Sequence, residues 1–515
     1  MYKVRVLQEI DDRLDAEYYN PAALSTLKKM ETKGTVTTFG NLVDEGYRVV
    51  YHGTDSINGL KDSEVLPFLS PTQIDANGSI HFEDADKLPL YYKDQYPKGL
   101  GKAGEILVEV KGNVSKVGIV PSVFPKNLMI SGSLYKATLD PKRVDSHYVL
   151  AFLKSQHGQI LKNRLTSNTI INYIAKDALY SIPVIEFKEK AQKYIGDKVR
   201  QAEQLRSWAK RLEVKLELFE NKIPVSTHVS TEVKHSKATL SHLTENRLDA
   251  RYYANKHLDL YAQFTNNFES LGSICSKFKY GASIPANYVN SDGLPFIRGN
   301  ALSPNRINKD DIVYLNRSLE DEGNNYCIEE DDILITRSGT VGVAAHVTSE
   351  YAKYWYGSFI IKCTLSNKLY LPAYVSWYLN SWVGQQQFRR LENGAVQLNI
   401  NIEELSSIAI WKASQEFQNE IQHLLFEQIS AVKLSKLLAN TAKTLVEALI
   451  EGQLTEQQLI QAQQALEDGD NSLDQAILSK LSAEGYAIEG ATPLFSDVDE
   501  LYSLLEEAAQ AEAEE

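Results

Sequence analysis

The chain carries one sequence pattern twice. Residues 13–19 (RLDAEYY) return as residues 247–253 (RLDARYY), and residues 66–68 (LPF) return as residues 294–296. From Tyr148 onward, matching residues of the two copies stand 226 positions apart. Solenoid repeats run only roughly 20 to 50 residues, so a period this long predicts two tandem domains of one fold. We expect such a chain to contact two related but unequal sites on its partner.

The bulk composition excludes several classes of protein. At 515 residues and 43% hydrophobic composition, the chain can bury several cores. No apolar run approaches the roughly 18 residues that cross a bilayer, and the first residues lack the apolar stretch of a signal peptide. We therefore expect a cytoplasmic protein with no membrane contact. The three cysteines have no Cys-x-x-Cys spacing, which predicts neither a disulfide framework nor a metal site.

The net charge of −13 is unevenly distributed along the chain. Residues 451–515 contain sixteen acidic residues and one base, Lys480, a net charge of −15 that leaves +2 for the rest. The body of the chain is thus neutral to slightly basic. The overall charge therefore does not exclude a polyanionic partner, and local basic surfaces decide the question.

Strand and helix signals mix within each copy, which predicts the α+β class. Residues 104–110 and 331–336 are apolar, β-branched runs typical of buried strands, and glycines follow both runs as in turns. Residues 145–165 and 372–391 are predicted to be aromatic-rich and helical. A short helical segment is also predicted around the RLDA motif that opens each copy.

Each copy closes with a segment in heptad spacing. Apolar residues recur there at steps of three and four, which predicts long helices of roughly 50 Å at 1.5 Å per residue. One possibility is that each helix packs on its own domain. The other, which the apolar heptad positions favour, is that the two helices pair with each other and form a two-helix rod. The predicted division is a first mixed domain (1–187), a first long helix (188–224), a linker (225–241), a second mixed domain (242–413), a second long helix (414–452) and an acidic tail (453–515).

No constellation of residues in the sequence supports a catalytic centre. Residues 99–104 (GLGKAG) match the dinucleotide fingerprint, but they lead into a strand, whereas the fingerprint requires strand, turn and helix in that order. Glu109 and Lys111 resemble the end of a metal-dependent nuclease motif, yet the second copy has Thr336 and Ser338 at these positions. We predict a non-catalytic chain that binds no cofactor of its own.

Several segments resemble the specificity subunit of type I restriction-modification systems. Residues 294–300 (LPFIRGN) resemble a strand of that family, and residues 332–342 (DILITRSGTVG) resemble its strand followed by a glycine loop. Residues 397–400 (QLNI) resemble the segment that precedes its closing strand. The first copy departs from the pattern, because residues 69–72 read LSPT in place of IRGN and residues 111–114 read KGNV in place of SGTV.

This resemblance, which covers roughly residues 1–452, implies a function. In the family, each of two target recognition domains reads one half of a split, asymmetric DNA site, and the two long helices form an antiparallel coiled coil that spaces them. The resemblance thus implies double-stranded DNA as ligand and two methyltransferase (modification) subunits as partners, with S-adenosylmethionine bound by those subunits. Whether translocase-nuclease (restriction) subunits join them is left open.

The residues predicted to contact DNA lie in loops of each copy. Their side chains can donate to phosphates or reach base edges. They are Lys111, Asn113, Ser115, Lys116, Arg164, Asn168, Thr169, Asn172 and Tyr173 in the first copy, and Arg298, Asn300, Arg337, Ser338, Thr340, Arg390, Asn393, Gln397 and Asn399 in the second. The alternative for any one of them is that it builds a turn. Arg13, Asp15, Arg247 and Asp249 are predicted to be structural, as a salt-bridged helix start.

Other functions remain as alternatives. The chain could instead be a non-catalytic scaffold subunit of a phage-defence assembly, or a specificity subunit of a methylation-only defence system. The enzyme alternative is a metal-dependent nuclease at Glu109 and Lys111.

Overall fold

The chain folds into two compact units. A computed structural model describes residues 18–166, 172–226, 237–244, 247, 249–285, 287–290, 292–322, 326–394 and 397–514. Unit 1 comprises Met1–Trp208 and Ala431–Glu515, and unit 2 comprises Ala209–Ser430. Both units mix helices with strands, which confirms the α+β class. In the part of the chain described, no helix combines the length and the apolar character that crossing a bilayer demands.

The strands are short and number twenty-five in the described residues. They are β1 (Thr35–Thr38), β2 (Val43–Tyr47), β3 (Val65–Leu69), β4 (Asp86–Pro89), β5 (Ile106–Glu109), β6 (Lys111–Gly112), β7 (Val117–Ile119), β8 (Met129–Ile130), β9 (Leu134–Leu139), β10 (Asn172–Tyr173), β11 (Pro183–Glu186), β12 (Phe268–Ser270), β13 (Cys275–Tyr280), β14 (Tyr288–Val289), β15 (Leu294–Ile297), β16 (Leu302–Ser303), β17 (Arg306–Ile307), β18 (Val313–Leu315), β19 (Asp332–Thr336), β20 (Ala344–His346), β21 (Trp355–Tyr356), β22 (Ile360–Leu365), β23 (Ala409–Trp411), β24 (Leu481–Ser482) and β25 (Gly485–Tyr486).

The α-helices include two long ones. They are α1 (Pro21–Lys33), α2 (Phe39–Leu42), α3 (Tyr92–Gln95), α4 (Ser146–Lys154), α5 (Gln156–Asn163), α6 (Lys176–Tyr180), α7 (Glu189–Glu220), α8 (Asn255–Tyr261), α9 (Leu271–Ile274), α10 (Pro372–Asn380), α11 (Trp382–Leu391), α12 (Ile402–Ser406), α13 (Gln415–Glu451), α14 (Glu456–Glu467), α15 (Ser472–Leu478) and α16 (Val498–Ala513).

The main sheet of unit 1 is built around the buried strand β5. Its four strands are antiparallel and lie in the order β2-β9-β5-β7. Lys136 on β9 forms an ion pair with Glu105, just before β5, with 2.9 Å between Nζ and Oε1 and both side chains buried. Because a buried charge is costly without a partner, this pair holds β5 beside β9. A smaller sheet, β4-β3-β8, has β3 parallel to β8.

Unit 2 contains the same strand arrangement. Its main sheet has the order β13-β22-β19-β20, again antiparallel, with β19 fully buried. Lys362 on β22 pairs with Asp332 on β19 at 2.7 Å, at the position of the pair in unit 1. Its second sheet, β14-β18-β15-β21, has β15 parallel to β21. Both main sheets even share a register irregularity at the same place, between Val43 and Glu45 and between Cys275 and Lys277.

Each aromatic-rich segment predicted to be helical is broken by a serine. Ser155 separates α4 from α5, and Ser381 separates α10 from α11. The Ser155 hydroxyl donates to the Phe152 carbonyl and accepts from the amide of Gly158. Ser381 makes the matching bonds. A serine in this geometry caps the second helix, which ends the first one.

The RLDA motif of the second copy does not begin a helix, contrary to the prediction. Residues 250–253 form turns, and α8 begins at Asn255. Arg247 does form an ion pair with Asp249 (Nε to Oδ2, 2.8 Å), but it also pairs with Glu404 at 3.0 Å. The arginine thus ties distant parts of unit 2 together. Residues 13–17 of the first copy lie outside the described residues.

The two long helices bury their heptad positions. Unit 1 holds residues 189–208 of α7 and 431–451 of α13, and unit 2 holds residues 209–220 and 415–430. In unit 2, the ring of Phe219 near the end of α7 lies 5.6 Å from the ring of Phe417 near the start of α13. The buried heptad residues are Ile195, Val199, Ala202, Leu205, Ala209, Leu212, Leu216 and Phe219 on α7, and Ile421, Leu424, Leu425, Ala431, Leu438, Leu445 and Leu449 on α13.

The acidic tail packs on α7 in unit 1. Asp474 on α15 forms an ion pair with Lys198 at 2.7 Å, and both side chains are only 1% exposed. The hydroxyls of Tyr194 and Tyr502 also donate to the Asp474 carboxylate. Burial raises the pKa of Asp474, but the neighbouring Lys198 and the hydrogen bonds outweigh burial, so that its pKa is lowered. The tail is therefore anchored by a fully used buried carboxylate.

The buried ion pair of unit 2 gives a stability prediction. The substitution Asp332→Ala leaves Lys362 buried without its partner, so we expect it to lower the free energy of unfolding of unit 2 by about 3 to 5 kcal/mol. Glu330→Ala is the control, because Glu330 is exposed, and such changes stay within about 0.5 kcal/mol. Urea unfolding followed by tryptophan fluorescence measures both; equal midpoints for the two variants contradict the role of the pair.

Candidate nucleic-acid interface

In unit 1, the loop after β5 is shaped by Glu109. This buried carboxylate accepts hydrogen bonds from the backbone amides of Asn113 (3.1 Å), Ser115 (2.9 Å) and Lys116 (3.1 Å). Both carboxylate oxygens are therefore used in folding the loop around them. The result is a tight loop whose side chains at Lys111, Asn113 and Ser115 are exposed.

These bonds bear on the nuclease alternative. A metal ligand needs a carboxylate oxygen that faces the ion, whereas Glu109 turns its oxygens toward three amides of its own loop. Among the residues that the structure describes, no group of three or more His, Cys, Asp or Glu side chains is placed to hold a metal ion. The Glu109–Lys111 motif is better explained as a loop-forming device than as an active site.

A buried lysine, Lys162, also forms hydrogen bonds that hold this loop. The Lys162 ammonium donates to the Val114 carbonyl and to Asn163 Oδ1 (3.0 Å). Burial lowers the pKa of Lys162 to about 8. Val114 itself has a φ of +56°, a conformation that a β-branched residue rarely adopts. The Lys162 bond to the Val114 carbonyl helps to hold this turn.

Two loops predicted to contact DNA meet in unit 1. The short strand β10 pairs with β6, which places Tyr173 opposite Lys111, and Ile174 N donates to the Val110 carbonyl at 3.0 Å. Lys111 and Tyr173 therefore lie on the same face of this strand pair, whereas Asn172, which is exposed, lies on the opposite face. Asn168 and Thr169 lie outside the described residues.

Unit 2 brings the corresponding loops together by the same backbone contacts. Ser338 forms a bridge with Asn399, and Ile400 N donates to the Arg337 carbonyl at 2.9 Å. Thr340 and Gln397 are exposed here, whereas Ser338 and Asn399 are half-buried. Asn300 is also exposed, in the short turn that follows β15.

Three of the predicted residues hold the protein's own backbone or side chains. Lys116 Nζ donates to the Ile74 carbonyl at 2.7 Å. The Asn393 side-chain amide donates to Glu404, and that of Asn399 donates to the Gln397 carbonyl at 2.9 Å. These groups build the turns of the interface, as the turn-forming alternative holds.

Arg164 and Arg390 lie inside their units rather than on the surface. Arg390 is 7% exposed; its guanidinium lies 4.2 Å from the ring centre of Tyr252 and 3.8 Å from that of Tyr261. Arg164 lies over the ring of Tyr18 at 4.7 Å, in the matching place. Tyr18 and Tyr252 belong to the repeated RLDA-x-YY motif. These contacts favour a structural role for the two arginines over the predicted DNA contact, because each packs its own copy of the motif against the domain.

Arg298 and Arg337 are half-buried, and each lies over a tyrosine ring. The Arg298 guanidinium is 5.2 Å from the ring centre of Tyr288, and that of Arg337 is 4.7 Å from the ring centre of Tyr280. A cation over an aromatic face is attracted by the ring and loses freedom of movement. Both arginines are thus oriented before any ligand arrives.

Sequence reasoning missed Arg48. This residue follows β2, where no motif marks it. Residues of distant loops fold next to it and form a cavity around its side chain. It lines a cavity of about 270 Å³ that contains no acidic side chain. The lining residues are Gly46, Tyr47, Arg48, Val110, Tyr135, Tyr173, Ile174 and Lys176.

Tyrosines give this cavity its form. The hydroxyls of Tyr135 and Tyr180 are 2.9 Å apart, and a side chain at Gly46 would collide with both. Burial, followed by the hydrogen bond with Tyr180, raises the pKa of Tyr135 well above its usual range. The cavity is thus lined by tyrosine rings and by the cations Arg48 and Lys176, and it lies next to the surface that Lys111 and Tyr173 share.

A protein-family model matches part of the chain. The model of the type I restriction modification DNA specificity domain matches residues 265–443, and it confirms the resemblance noted in the sequence. No curated protein matches the chain.

Solved structures of similar proteins are found at low identity. The S subunit of a type I restriction-modification system from M. genitalium is 14% identical over 81% of this chain and 94% of that chain, with a TM-score of 0.41. The HsdS subunit from Thermoanaerobacter tengcongensis is 13% identical over 82% and 97%, with a TM-score of 0.27. A chain from a study of complex assembly and conformational transition of the type I R-M system is 12% identical over 84% and 97%, with a TM-score of 0.30.

The placement of Arg390 gives a prediction. We expect Arg390→Ala to lower the free energy of unfolding of unit 2 by about 2 kcal/mol or more, because it removes a desolvated cation from two tyrosine rings. Thr340→Ala, in the exposed loop, is the comparison and should stay within about 0.5 kcal/mol. Urea unfolding measures both. An Arg390→Ala protein with wild-type stability would show that the arginine does not hold the motif.

Proposed function

From the match of residues 265–443 to the model of the type I restriction modification DNA specificity domain, we propose that the chain is the DNA-recognition subunit of a type I restriction-modification complex. The match to that family model is the observation that carries the proposal. In this role the chain binds double-stranded DNA and performs no chemistry. The reaction is left to partner subunits.

Each unit, in this proposal, reads one half of a bipartite, asymmetric site. The support is that the units share a strand arrangement while their loops differ. At matching positions, unit 1 has Lys111 and Asn113, whereas unit 2 has Ser338 and Thr340. Lysine suits phosphate oxygens, asparagine suits adenine edges, and serine or threonine suits several partners. One backbone with different side chains is expected to read two unequal base sequences.

The long helices are proposed to act as the spacer between the two half-sites. Support comes from their burial pattern, which follows the heptads, and from the contact of Phe219 with Phe417 in unit 2. The helix α7 has 32 residues, which corresponds to about 48 Å at 1.5 Å per residue. One turn of duplex spans about 34 Å, so paired helices of this length exceed one turn. In an antiparallel coiled coil their length would set the distance between the halves of the site.

The proposed partners supply the chemistry. Two methyltransferase subunits would bind S-adenosylmethionine and methylate adenine, one in each half of the site, and translocase-nuclease subunits would join in a system that also cleaves. Support for a non-catalytic chain comes from Glu109, the best candidate for an active-site carboxylate, whose two oxygens are engaged by backbone amides. In this division, the chain selects the site and the partners modify it.

Salt dependence tests the proposed DNA binding. Contacts to phosphates release counterions, so the affinity of the full chain for a random-sequence duplex should fall steeply as salt rises. Lys111→Gln should reduce the slope of log K against log salt by about 1. Fluorescence anisotropy at several salt concentrations measures both quantities.

The matched control is Lys480→Gln, which removes the same charge from an exposed position in the tail. Its slope should equal that of the wild type. A chain whose duplex binding is absent or does not respond to salt would favour the scaffold alternative. If the wild type, Lys111→Gln and Lys480→Gln all show the same steep salt slope, the chain binds DNA but Lys111 does not contact it.

A further inference from the structure

A guanidinium group occupies the same place in the two units but comes from different strands. In unit 1 it belongs to Arg48, after β2; its Nε donates to the Gly132 carbonyl at 2.6 Å, and its carbon lies 5.5 Å from the ring centre of Tyr173. In unit 2 it belongs to Arg337, after β19; its Nη1 donates to the Ser358 carbonyl at 3.3 Å, and its carbon lies 4.7 Å from the ring centre of Tyr280.

The sheet registers show that these places correspond. Gly132 and Ser358 each stand two residues before matching strands, β9 and β22. The neighbouring backbone bonds also match, because Val110 N donates to the Ser133 carbonyl just as Arg337 N donates to the Phe359 carbonyl. The two arginines therefore donate to backbone carbonyls at corresponding positions of their units, Gly132 and Ser358.

The sequence position that supplies the guanidinium differs between the two copies. Tyr280 stands in the register position of Arg48, because Tyr47 pairs with Lys136 and Lys279 pairs with Lys362. Val110 stands in the position of Arg337. Each copy thus keeps one arginine over one tyrosine ring, although the strands that provide them differ. The guanidinium lies at the same place in both units although different residues supply it. This indicates that the guanidinium itself is needed there.

The charge of both arginines is left without a carboxylate. Among the described residues, neither Arg48 nor Arg337 forms an ion pair, in contrast to Arg247, which pairs with Asp249 and Glu404. Both side chains are half-buried and so remain accessible. In unit 1 the surrounding cavity of about 270 Å³ adds no acidic group. A guanidinium has five N–H donors, and the bonds to carbonyls use only part of them.

We propose that Arg48 in unit 1 and Arg337 in unit 2 are DNA-contact residues that present their guanidinium fork to paired acceptor atoms of a nucleotide. This inference rests on the proposed function. A planar fork held over a ring is suited to two acceptors side by side, which are O6 and N7 of a guanine or two oxygens of a phosphate. Arg48 contacts the half-site of unit 1, and Arg337 contacts that of unit 2.

The test uses the full-length chain and four substitutions at the two positions: Arg48→Gln, Arg48→Lys, Arg337→Gln and Arg337→Lys. Two measurements are made on each protein. The first is the affinity for a random-sequence duplex across a salt series, by fluorescence anisotropy. The second is the set of sequences enriched from a pool of random duplexes. Arg143→Gln and Arg317→Gln are the matched controls, because each removes an exposed arginine that is already paired with a glutamate of its own unit.

The two sources of paired acceptors give different results. If the acceptor is a guanine, the Gln variants lose one specified base from one half of the enriched sequence, with the preference there lower by about tenfold or more, and the Lys variants, which lack the planar fork, restore it only in part. If it is a phosphate, the Gln variants bind every duplex more weakly, with a salt slope lower by about 1, and Lys restores the binding. In the guanine case, Arg48 variants affect one half of the site and Arg337 variants the other.

The proposal is overturned if Arg48→Gln and Arg337→Gln bind and select DNA as the two controls do. Unfolding midpoints of all variants, measured in urea, show whether a loss of binding comes from loss of fold, and the Lys variants retain the charge where the Gln variants do not. A wild-type chain that binds no duplex would overturn the proposed function as well. Wild-type binding with unaffected variants would overturn this inference alone.

Discussion

A lysine–carboxylate pair buried at the centre of the main sheet is the interaction on which each unit depends. Lys136 with Glu105, and Lys362 with Asp332, place a charge of each sign on neighbouring strands where water is excluded. Neither charge is stable there alone, so the pair fixes which strand lies beside the buried one and in which register. The loop that follows the buried strand, β5 in unit 1 and β19 in unit 2, therefore lies at a fixed place on the surface. In both units the segment before the closing strand meets it there, through the same backbone bond.

The parts of the fold that depend on local pattern could be predicted from the sequence. The repeat predicted two domains of one class, the apolar runs predicted the buried strands, and the heptads predicted helices close to those observed at Glu189–Glu220 and Gln415–Glu451. The rest required contacts between distant residues. The packing of Arg390 on two tyrosines, and the position of Arg48 beside Tyr173, follow from how strands pair across the sheet. No spacing along the chain encodes those contacts. The serine that breaks each aromatic-rich segment was visible as a residue but not as a cap.

The repeated architecture gives one chain two sites of the same backbone form with different surface side chains. Backbone bonds, the buried ion pair and the Arg–Tyr packing of the RLDA motif are common to the copies, whereas the exposed loop residues are not. The features that both copies retain are the ones that stabilise the fold, and in the proposed function the variable, exposed side chains carry recognition. The guanidinium that each unit holds over a tyrosine lies at the boundary between these roles. It is braced by the fold, and it faces the surface.

In the proposed function, this chain selects a two-part DNA site for partners that carry out the chemistry. The most direct measurement is methylome sequencing of a host that expresses the chain together with its methyltransferase subunits, compared with the same host lacking the chain. We expect a new methylated motif made of two different specified parts, separated by a fixed number of unspecified bases. An unchanged methylome, or a single uninterrupted motif, would contradict it.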